Sequence, residues 1–363
     1  MTTRKLRAIP YLIALLPLDI VVGVSLLLSA LFAPRPRNHP VDAKMLKSFR
    51  ATIQILNWDG KHLLAEGIPS VLEAIRFSGG EHRVLVVDNG STDGSAQFVR
   101  ERFPQVAVLE LDRNYGFVGG NNKGVERVET EVVVLLNNDM VVEPNFLKPL
   151  LDGFTDESVF AVTSQVFLAD TSRRREETGK TRAVFEGGFF RLWHADIEAA
   201  DEARATLPVF WAGGGACAFD RAKYCEVGGL DDLYHPFYVE DTDLSYQAWK
   251  RGWKCLLAPA SRVIHKHRAT SSRKYSHDFV DNTIRRNLFL FVWKNVTDFS
   301  SVLDHVLNLP RIHGKAILHT SGMTEVSVYS RAVVRFPSAL RRRIHCWDGY
   351  RFSDREVLLR SQQ

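Results

Sequence analysis

Several acidic side chains and one histidine follow apolar runs of the sequence, where they could carry metal or acid–base chemistry. Asp139 follows the run VVVLLNN, and His265 ends a second apolar segment. A carboxylate and an imidazole nitrogen can together hold a divalent cation that takes its other ligands from water or substrate phosphate. Asp241 belongs to the acidic string EDTD at the start of a predicted helix. A carboxylate in such a place can serve as a general base.

Each of these residues also has a structural interpretation. Asp139 could cap a helix before Pro144, and a histidine such as His265 is often a structural residue. Acidic residues at a helix N-terminus suit the helix dipole, which accounts for one or two of the three acids in EDTD. This helix is predicted to end at Arg251 and Gly252, a basic residue followed by a glycine.

Two glycine-containing motifs follow predicted strands. Residues 86–95 read VVDNGSTDGS, which is typical of a buried strand, a tight turn and a capped helix, so a plain connector stays an open alternative. Residues 114–124 read NYGFVGGNNKG, and their glycines could let backbone approach a ligand closely. This second motif matches neither a phosphate loop nor the G-x-G-x-x-G dinucleotide fingerprint, so both classes of nucleotide-binding protein are disfavoured.

The elements that would position these motifs alternate between strand and helix. Runs rich in Val, Ile and Leu predict four strands, at Ala51 to Leu56, Arg83 to Val87, Val106 to Leu111 and Val132 to Leu136. Helix-like stretches such as 69–77 and 94–103 separate them. This alternation predicts an α/β fold with a mostly parallel, helix-flanked sheet, in which ligands bind at the carboxyl ends of the strands. Those ends carry Asn57, Asp88 and Asn138.

Composition limits the remaining classes. The net charge of +5 comes from 47 basic residues spread among 42 acidic ones, so no stripe suited to nucleic acid is present and no nucleic-acid partner is expected. The four cysteines form no C-x-x-C pair, which disfavours a zinc ribbon or a disulfide framework and fits a reducing compartment. Later in the chain, residues 255–264 predict a strand broken at Pro259. Residues 170–180 predict a mobile loop or, in the interpretation we favour, a solvated, charged turn.

The N-terminal segment from Ala8 to Ala33 is apolar and long enough to cross a membrane as a helix. A cleaved signal peptide is disfavoured because the apolar part is too long and no A-x-A site follows. Pro17 and Asp19 complicate a simple span, so a broken, re-entrant hairpin is the alternative. Basic residues lie on both sides of the segment, and the bias leans towards a cytoplasmic C-terminal part.

The predicted organisation has four parts. Residues 1–34 are a membrane anchor or re-entrant segment, 35–48 a linker, 49–295 the catalytic domain and 296–363 a C-terminal helical region. Residues 333–345 read VVRFPSALRRRIH, which suits an anionic membrane surface or a plain surface helix, and Pro337 predicts that this helix is short.

Taken in order, these motifs resemble those of glycosyltransferase family 2, whose fold is the GT-A type of Rossmann-like mixed sheet. The resemblance covers about Ala51 to Asn295 and is greatest to rhamnosyltransferase-like members. The segments that carry it are Asp88 to Ser95, Asn114 to Gly124, Leu136 to Asp139, Trp211 to Phe219, Glu240 to Leu244 and His265.

The resemblance implies a role for each matched residue. The donor would be bound by Asn57 at the nucleotide edge, Asp88 on the base, Asn138 near the ribose and Asp139 on the diphosphate. The metal, Mg²⁺ or Mn²⁺, would be held by Asp139 and His265. Acceptor binding falls to Trp211, Gly213, Gly214 and Glu240, and the catalytic base would be Asp241. Many family members have a second aspartate where this chain has Asn138, which weakens an all-carboxylate metal site.

The function that the resemblance implies is inverting transfer of a sugar from a UDP-, dTDP- or GDP-sugar to a hydroxyl of a glycan or lipid-linked acceptor. Such an enzyme would build cell-surface or cell-wall polysaccharide at the inner (cytoplasmic) membrane, with its catalytic domain facing the cytoplasm. The alternative is a catalytically silent nucleotide-sugar-binding scaffold subunit of a polysaccharide assembly complex. A nucleotidyltransferase is disfavoured, because no glycine-rich basic loop follows Ile55.

Overall fold

The computed structural model describes residues 8–34, 49–170, 175, 177–266 and 276–363. Within these ranges the strands are β1 (Ala51–Asn57), β2 (Arg83–Asp88), β3 (Ala107–Glu110), β4 (Val132–Asn137), β5 (Met140–Val142), β6 (Val159–Leu168), β7 (Thr181–Glu186), β8 (Phe189–His194), β9 (Leu207–Pro208), β10 (Ala216–Asp220) and β11 (Lys254–His265). The helices are α1 (Ile9–Phe32), α2 (Lys61–Ser78), α3 (Ser95–Arg102), α4 (Gly116–Val125), α5 (Leu147–Asp152), α6 (Ala199–Glu202), α7 (Arg221–Val227), α8 (Glu240–Lys250), α9 (His277–Asn295), α10 (Phe299–His319), α11 (Gly322–His345) and α12 (Asp354–Arg360). Short 3-10 turns lie at Asp232–Tyr234 and Trp347–Gly349.

The four predicted strands form the parallel half of one large sheet, in the order β3-β2-β1-β4. The residues of β4 up to Leu136 are fully or almost fully buried, because helices cover both faces of a parallel sheet. The second half continues β4-β10-β6-β11-β5, with β10 and β5 antiparallel to their neighbours. The prediction of a mostly parallel mixed sheet flanked by helices is confirmed.

Strand register brings the polar strand ends together. Asn57 and Asp88 are directly paired at the ends of β1 and β2. On the other half of the sheet, His265 at the end of β11 is paired with Met140 of β5, the residue after Asp139. Both pairs therefore lie at the edge of the sheet where a ligand is expected.

Two predictions about local breaks are wrong. Strand β11 passes through Pro259 and accommodates it by a register shift against β6 between Ala258 and Arg262. Helix α11 runs for 24 residues with Pro337 inside it, so the proline does not shorten the helix. Its buried side packs on α9 through residues such as Phe336, whose ring lies 5.3 Å from that of Trp293, and this packing compensates for the hydrogen bond lost at the proline.

The N-terminal segment is one uninterrupted helix, α1, and the hairpin alternative is not found. Asp19 does not face outwards: it is 7% exposed and accepts a hydrogen bond from His313 Nε2 at 3.0 Å. The other ring nitrogen of His313 lies 2.5 Å from Glu325, which also pairs with Arg285 of α9. Helix α1 is therefore docked on the C-terminal helices by a buried charge network.

Candidate active site

A cavity of about 710 Å³ opens at the carboxyl edge of the sheet. It gathers residues from strand ends, from the glycine-rich loop before β10 and from the start of α8. The predicted site residues that line it are Asn138, Asp139, Trp211, Gly213, Gly214, Glu240, Asp241 and His265. Asn57 and Asp88 are not in the lining but lie directly behind it, since Asn138 Nδ2 donates to Asn57 Oδ1 at 2.9 Å.

The nucleotide-edge residues form a buried polar chain. Asn57 Nδ2 donates to Asp88 Oδ1 at 3.1 Å, and Asp88 accepts a further hydrogen bond from Ser91. Gly60 packs over this chain: a Cβ there would lie 2.3 Å from Asn138 Nδ2 and 2.5 Å from Asn57 Oδ1. The turn after β1 therefore requires glycine at this position, and the chain fixes the orientation of all three amide and carboxylate groups.

Asp139 and His265 form the second part of the site. His265 Nε2 lies 3.3 Å from Asp139 Oδ2, and both side chains are less than a tenth exposed. His265 Nδ1 lies 3.1 Å from Glu177 Oε2 on the opposite side of the ring. Burial alone would lower the pKa of His265, but its hydrogen bonds to Asp139 and Glu177 raise the pKa to about 9.

These residues fit a metal ion that takes few protein ligands. Among the residues the structure describes, no three His, Cys, Asp or Glu side chains form a group that could hold a metal. Asp139 and Glu177 bond opposite ring nitrogens of His265, so they cannot share an ion. Asp139 Oδ2, a hard oxygen donor, and His265 Nε2, a borderline nitrogen donor, remain as two adjacent ligands, the number that Mg²⁺ or Mn²⁺ takes when substrate phosphates complete its shell. Glu177 would then orient the ring from behind.

The acidic pair Glu240 and Asp241 begins helix α8. Asp241 accepts hydrogen bonds from the Thr242 N–H at 2.7 Å and from the Gly214 N–H at 3.3 Å. Burial raises the pKa of Asp241. Glu240 is 5% exposed, and its Oε2 has no partner among the described residues. Burial, and then the charge of Asp241, raise the pKa of Glu240 to about 8, so it is largely a neutral acid at pH 7.

Asp243, the third acid of the string, is a structural residue. It accepts hydrogen bonds from the Tyr234 hydroxyl, Lys294 Nζ and Asn295 Nδ2, each at 2.6 Å. Its side chain is 2% exposed. A carboxylate whose lone pairs are taken up by a buried lysine, a phenol and an amide has no free edge for a substrate. Of the three acids in this string, Glu240 and Asp241 are therefore the two that line the cavity.

The loop before α8 is held in a strained conformation by helix α9. Tyr238 and Val239 have φ of 69° and 80°, and a β-branched residue in this region costs about 1–3 kcal/mol. Asn287 Nδ2 donates to the carbonyls of Tyr234, Phe237 and Tyr238 at 2.8 to 3.0 Å. This single amide therefore fixes the loop that aims Glu240 and Asp241 into the cavity.

The loop before β10 closes the opposite wall. Trp211 is 8% exposed and its ring stands edge-on to His194 at 5.2 Å. Gly214 lies between two site residues: a Cβ there would be 3.3 Å from the Phe117 ring and 3.8 Å from Asp241 Cβ. Because Gly214 has no side chain, its backbone N–H can approach Asp241 closely.

Sequence reasoning missed two residues of this site. Residues 170–180 are predicted to be a solvated turn, yet Glu177 contacts His265 and Thr178 is 2% exposed. Residues 171–174 and 176 of that segment lie outside the described residues. Asn287 was also missed, because it lies within the ordinary amphipathic pattern of α9. Neither residue carries a local signal, since the partners of each lie about 50 or more positions away.

Known proteins resemble this chain in sequence and in fold. Residues 53–224 match the model of "Glycosyl transferase family 2". The chain contains a family 2 glycosyltransferase domain. The match includes Asn57, Asp88 and Asp139, and it ends before Asp241 and His265.

Curated relatives of the transferase domain share about a quarter of their residues with it. The N-acetylglucosaminyl-diphospho-decaprenol L-rhamnosyltransferase of Mycobacterium tuberculosis is 24% identical over 209 residues, which are 52% of this chain and 67% of the relative. A putative polypeptide N-acetylgalactosaminyltransferase 10 of Drosophila melanogaster is 23% identical over 274 residues, covering 69% of this chain and 42% of the relative. The chain thus spans less than half the length of the insect protein.

Solved structures confirm that the domain has the GT-A type of fold. GalNAc-T7, crystallised with UDP, GalNAc and Mn²⁺, superposes with a TM-score of 0.55 at 16% identity, covering 70% of this chain and 49% of that one. S. aureus TarS 1-349 superposes with a TM-score of 0.52 at 13% identity, covering 83% of this chain and 89% of that one. At these identities the likeness concerns the fold.

Proposed function

We propose that the transferase domain catalyses inverting transfer of a sugar from a nucleotide-sugar donor to a hydroxyl of a glycan or lipid-linked acceptor, with a divalent cation, at the cytoplasmic face of a membrane. One observation carries the proposal: the two donors Asp139 and His265 and the acids Glu240 and Asp241 line the same cavity. Glycosyl transfer needs both a site for the leaving diphosphate and a base for the acceptor within reach of one sugar.

The donor would lie on the polar chain at the ends of β1 and β2. Asp88 and Asn57 would receive the base, Asn138 the ribose, and Asp139 with His265 the diphosphate and its Mg²⁺ or Mn²⁺. When bound, the cation neutralises the negative charge that the leaving nucleoside diphosphate gathers. Asn138 occupies the position where a second aspartate is common. Its amide donates to Asn57, which supports a role for Asn138 at the nucleotide edge and not as a metal ligand.

The acceptor hydroxyl would be activated by Asp241. As the acceptor oxygen forms its bond to the anomeric carbon, the bond from that carbon to the phosphate oxygen breaks, and the hydroxyl proton passes to the Asp241 carboxylate. Burial raises the pKa of Asp241, which makes its carboxylate a stronger base than an exposed aspartate. Glu240, protonated and unpartnered at Oε2, would donate a hydrogen bond to an acceptor oxygen.

The mycobacterial relative is named for rhamnosyl transfer to a diphospho-decaprenol-linked N-acetylglucosamine. Carried to this chain, that name supports a lipid-linked acceptor and a role in cell-surface polysaccharide synthesis. Helix α1 supports the same direction, because an 18-residue window of it has a mean hydropathy of 2.4 and its length is sufficient to cross a membrane. In this proposal the chain comprises an N-terminal membrane segment (1–34), a linker (35–48), a catalytic domain (49–295) and a C-terminal helical region (296–363).

The test is a binding titration of the purified full chain with UDP-, dTDP- and GDP-sugars, with and without Mn²⁺. We expect one nucleotide to bind in a metal-dependent manner, and Asp139→Ala to abolish that binding. Asp152→Ala, which removes an exposed carboxylate on α5, is the matched control and should bind like the wild type. No binding of any donor by the folded wild type would overturn the proposal. Donor binding without turnover on any acceptor would favour a silent scaffold subunit.

A further inference from the structure

Helix α1 has two faces of opposite character. Its buried face, with Leu15, Asp19, Val22 and Leu26, packs between α10 and α11. Every exposed residue of α1 is apolar, including Ile13, Ile20 and Leu28, which are 64%, 56% and 52% exposed. The half-buried Ser25 donates its hydroxyl to the Val21 carbonyl, so it offers no open polar group. The outer face is therefore a continuous apolar strip without hydrogen-bonding capacity.

The strip is extended by the helices that hold it. On α10, Phe299, Leu303 and Leu307 are exposed at successive i, i+4 positions and so lie on one side of the helix. Leu303 and Leu307 flank Val306, whose Cγ1 lies 2.8 Å from where a Cβ of Gly23 would be. Met323 of α11 is 70% exposed and follows Gly322, which packs against Tyr11. Met323 therefore lies near the N-terminal end of α1, and Leu303 and Leu307 lie near its middle.

An apolar strip without free hydrogen-bonding groups matches the boundary of a lipid bilayer, into which apolar side chains insert. Helix α1 is also long enough and apolar enough to cross a membrane, by its length and composition. Lipid is therefore the occupant that requires no polar partner from the strip.

The docking of α1 is incompatible with a simple span. The helix packs lengthwise on α10 and α11, and α11 exposes Arg331 and Arg341. Drawing all three helices into hydrocarbon would bury these charges at about 2.5–3.5 kcal/mol each at the bilayer centre. Pulling α1 out alone would leave Asp19 in lipid and would take from His313 one of its two carboxylate partners. A protein partner is a poorer match, since protein interfaces carry about one hydrogen bond per 100–200 Å² and a polar rim.

We propose that α1 does not cross the membrane but lies in its surface, and that α1 with Phe299, Leu303, Leu307 and Met323 forms one monotopic lipid-docking face. This deepens the membrane association in the proposed function. It sets the transferase domain directly on the lipid surface.

The test measures depth in the bilayer with the full chain. In a Cys225→Ser/Cys346→Ser background, whose remaining cysteines are buried, single cysteines at Ile13→Cys, Ile20→Cys and Leu28→Cys receive an environment-sensitive fluorophore. Vesicles of phosphatidylcholine and phosphatidylglycerol carry a spin label at a shallow or a deep acyl position. Gln97→Cys, exposed on α3, is the control that stays away from lipid.

We expect all three helix labels to be quenched more by the shallow than by the deep spin label, and Gln97→Cys by neither. Stronger quenching of Ile20→Cys by the deep label would mean that α1 spans, and would overturn the proposal. Absence of quenching together with a dimer in cross-linking would assign the face to a second copy and would equally overturn it. Depth is measured without turnover, so this result is separate from that of the donor titration.

Discussion

His265 Nε2 lies 3.3 Å from Asp139 Oδ2, although the two residues are 126 positions apart in the chain. The contact follows from the pairing of β11 with β5, in which His265 faces Met140, the neighbour of Asp139. The backbone completes the arrangement, because the Lys266 N–H donates to the Asp139 carbonyl at 2.9 Å. The two residues best placed to hold a metal are thus fixed by strand register and not by a flexible loop.

Glu177 should matter for metal affinity although it cannot reach the ion that Asp139 would hold. Glu177→Ala removes the acceptor at His265 Nδ1, so the ring loses its orientation and part of its basicity. We expect Mn²⁺ affinity to fall by about 10- to 100-fold. Manganese binding can be followed by electron paramagnetic resonance. Glu186→Ala, on the exposed end of β7, should leave it unchanged, and an equal loss in both variants would contradict this role.

The pH profile of turnover should depend on Glu240. Activity that requires ionised Asp241 rises with pH through the raised pKa of that group, and activity that requires neutral Glu240 falls as pH passes about 8. Glu240→Gln keeps a hydrogen-bond donor that does not titrate, so kcat/KM should stay high on the alkaline side. A profile of kcat/KM against pH with saturating metal checks this. A falling limb that persists near pH 8 in Glu240→Gln would assign it to another group.

Asn287 should act on the acceptor side of the reaction without touching substrate. Asn287→Leu leaves three loop carbonyls without their donor, so we expect a loss of stability of about 1–3 kcal/mol and a rise in acceptor KM, with donor affinity unchanged. Asn308→Leu, which removes an amide that donates to Asp304 within the same helix, is the control. Donor affinity that falls in parallel with acceptor kinetics would point to general unfolding instead.

The buried pair of Lys250 and Asp354 should be essential to stability. Their charged atoms lie 2.8 Å apart, with 0% and 4% of the side chains exposed. Burial alone would raise the pKa of Asp354, but Lys250 lowers it, so this contribution is present above the unfolded pKa and is lost as pH falls through the folded one. Asp354→Asn should cost about 3–5 kcal/mol in urea unfolding at pH 7. Asp152→Asn, which removes the exposed ion pair with Lys148, should cost less than about 1 kcal/mol.

The parallel half of the fold could be predicted from the sequence because its signals are local. A buried parallel strand is a short Val/Ile/Leu run, and the turn after it needs Gly, Asn or Asp, so β1, β2 and β4 and their polar ends can be read directly. The position of Asn57 opposite Asp88 then follows, since neighbouring parallel strands end at one edge.

The rest depends on contacts between distant segments. Asp19 contacts a histidine 294 residues away, Glu177 a histidine 88 residues away and Asp243 a lysine 51 residues away. No local pattern encodes such distances. Pro337 misled the prediction of α11 for a related reason. One lost hydrogen bond would end an isolated helix, but side-chain packing on α9 outweighs that loss in the folded chain.

The ion pair of Lys250 and Asp354 also has a consequence for synthesis on the ribosome. Helix α8, which carries Asp241, emerges 104 residues before the carboxylate that neutralises its buried lysine. The sheet that carries the proposed donor site can therefore form on the nascent chain, while the helix with the proposed base becomes fully stable only after Asp354 has left the exit tunnel. Translation that stops short of Asp354 would yield a chain with the proposed donor site but without a fully stable α8, so the proposed transfer activity would be acquired late in synthesis.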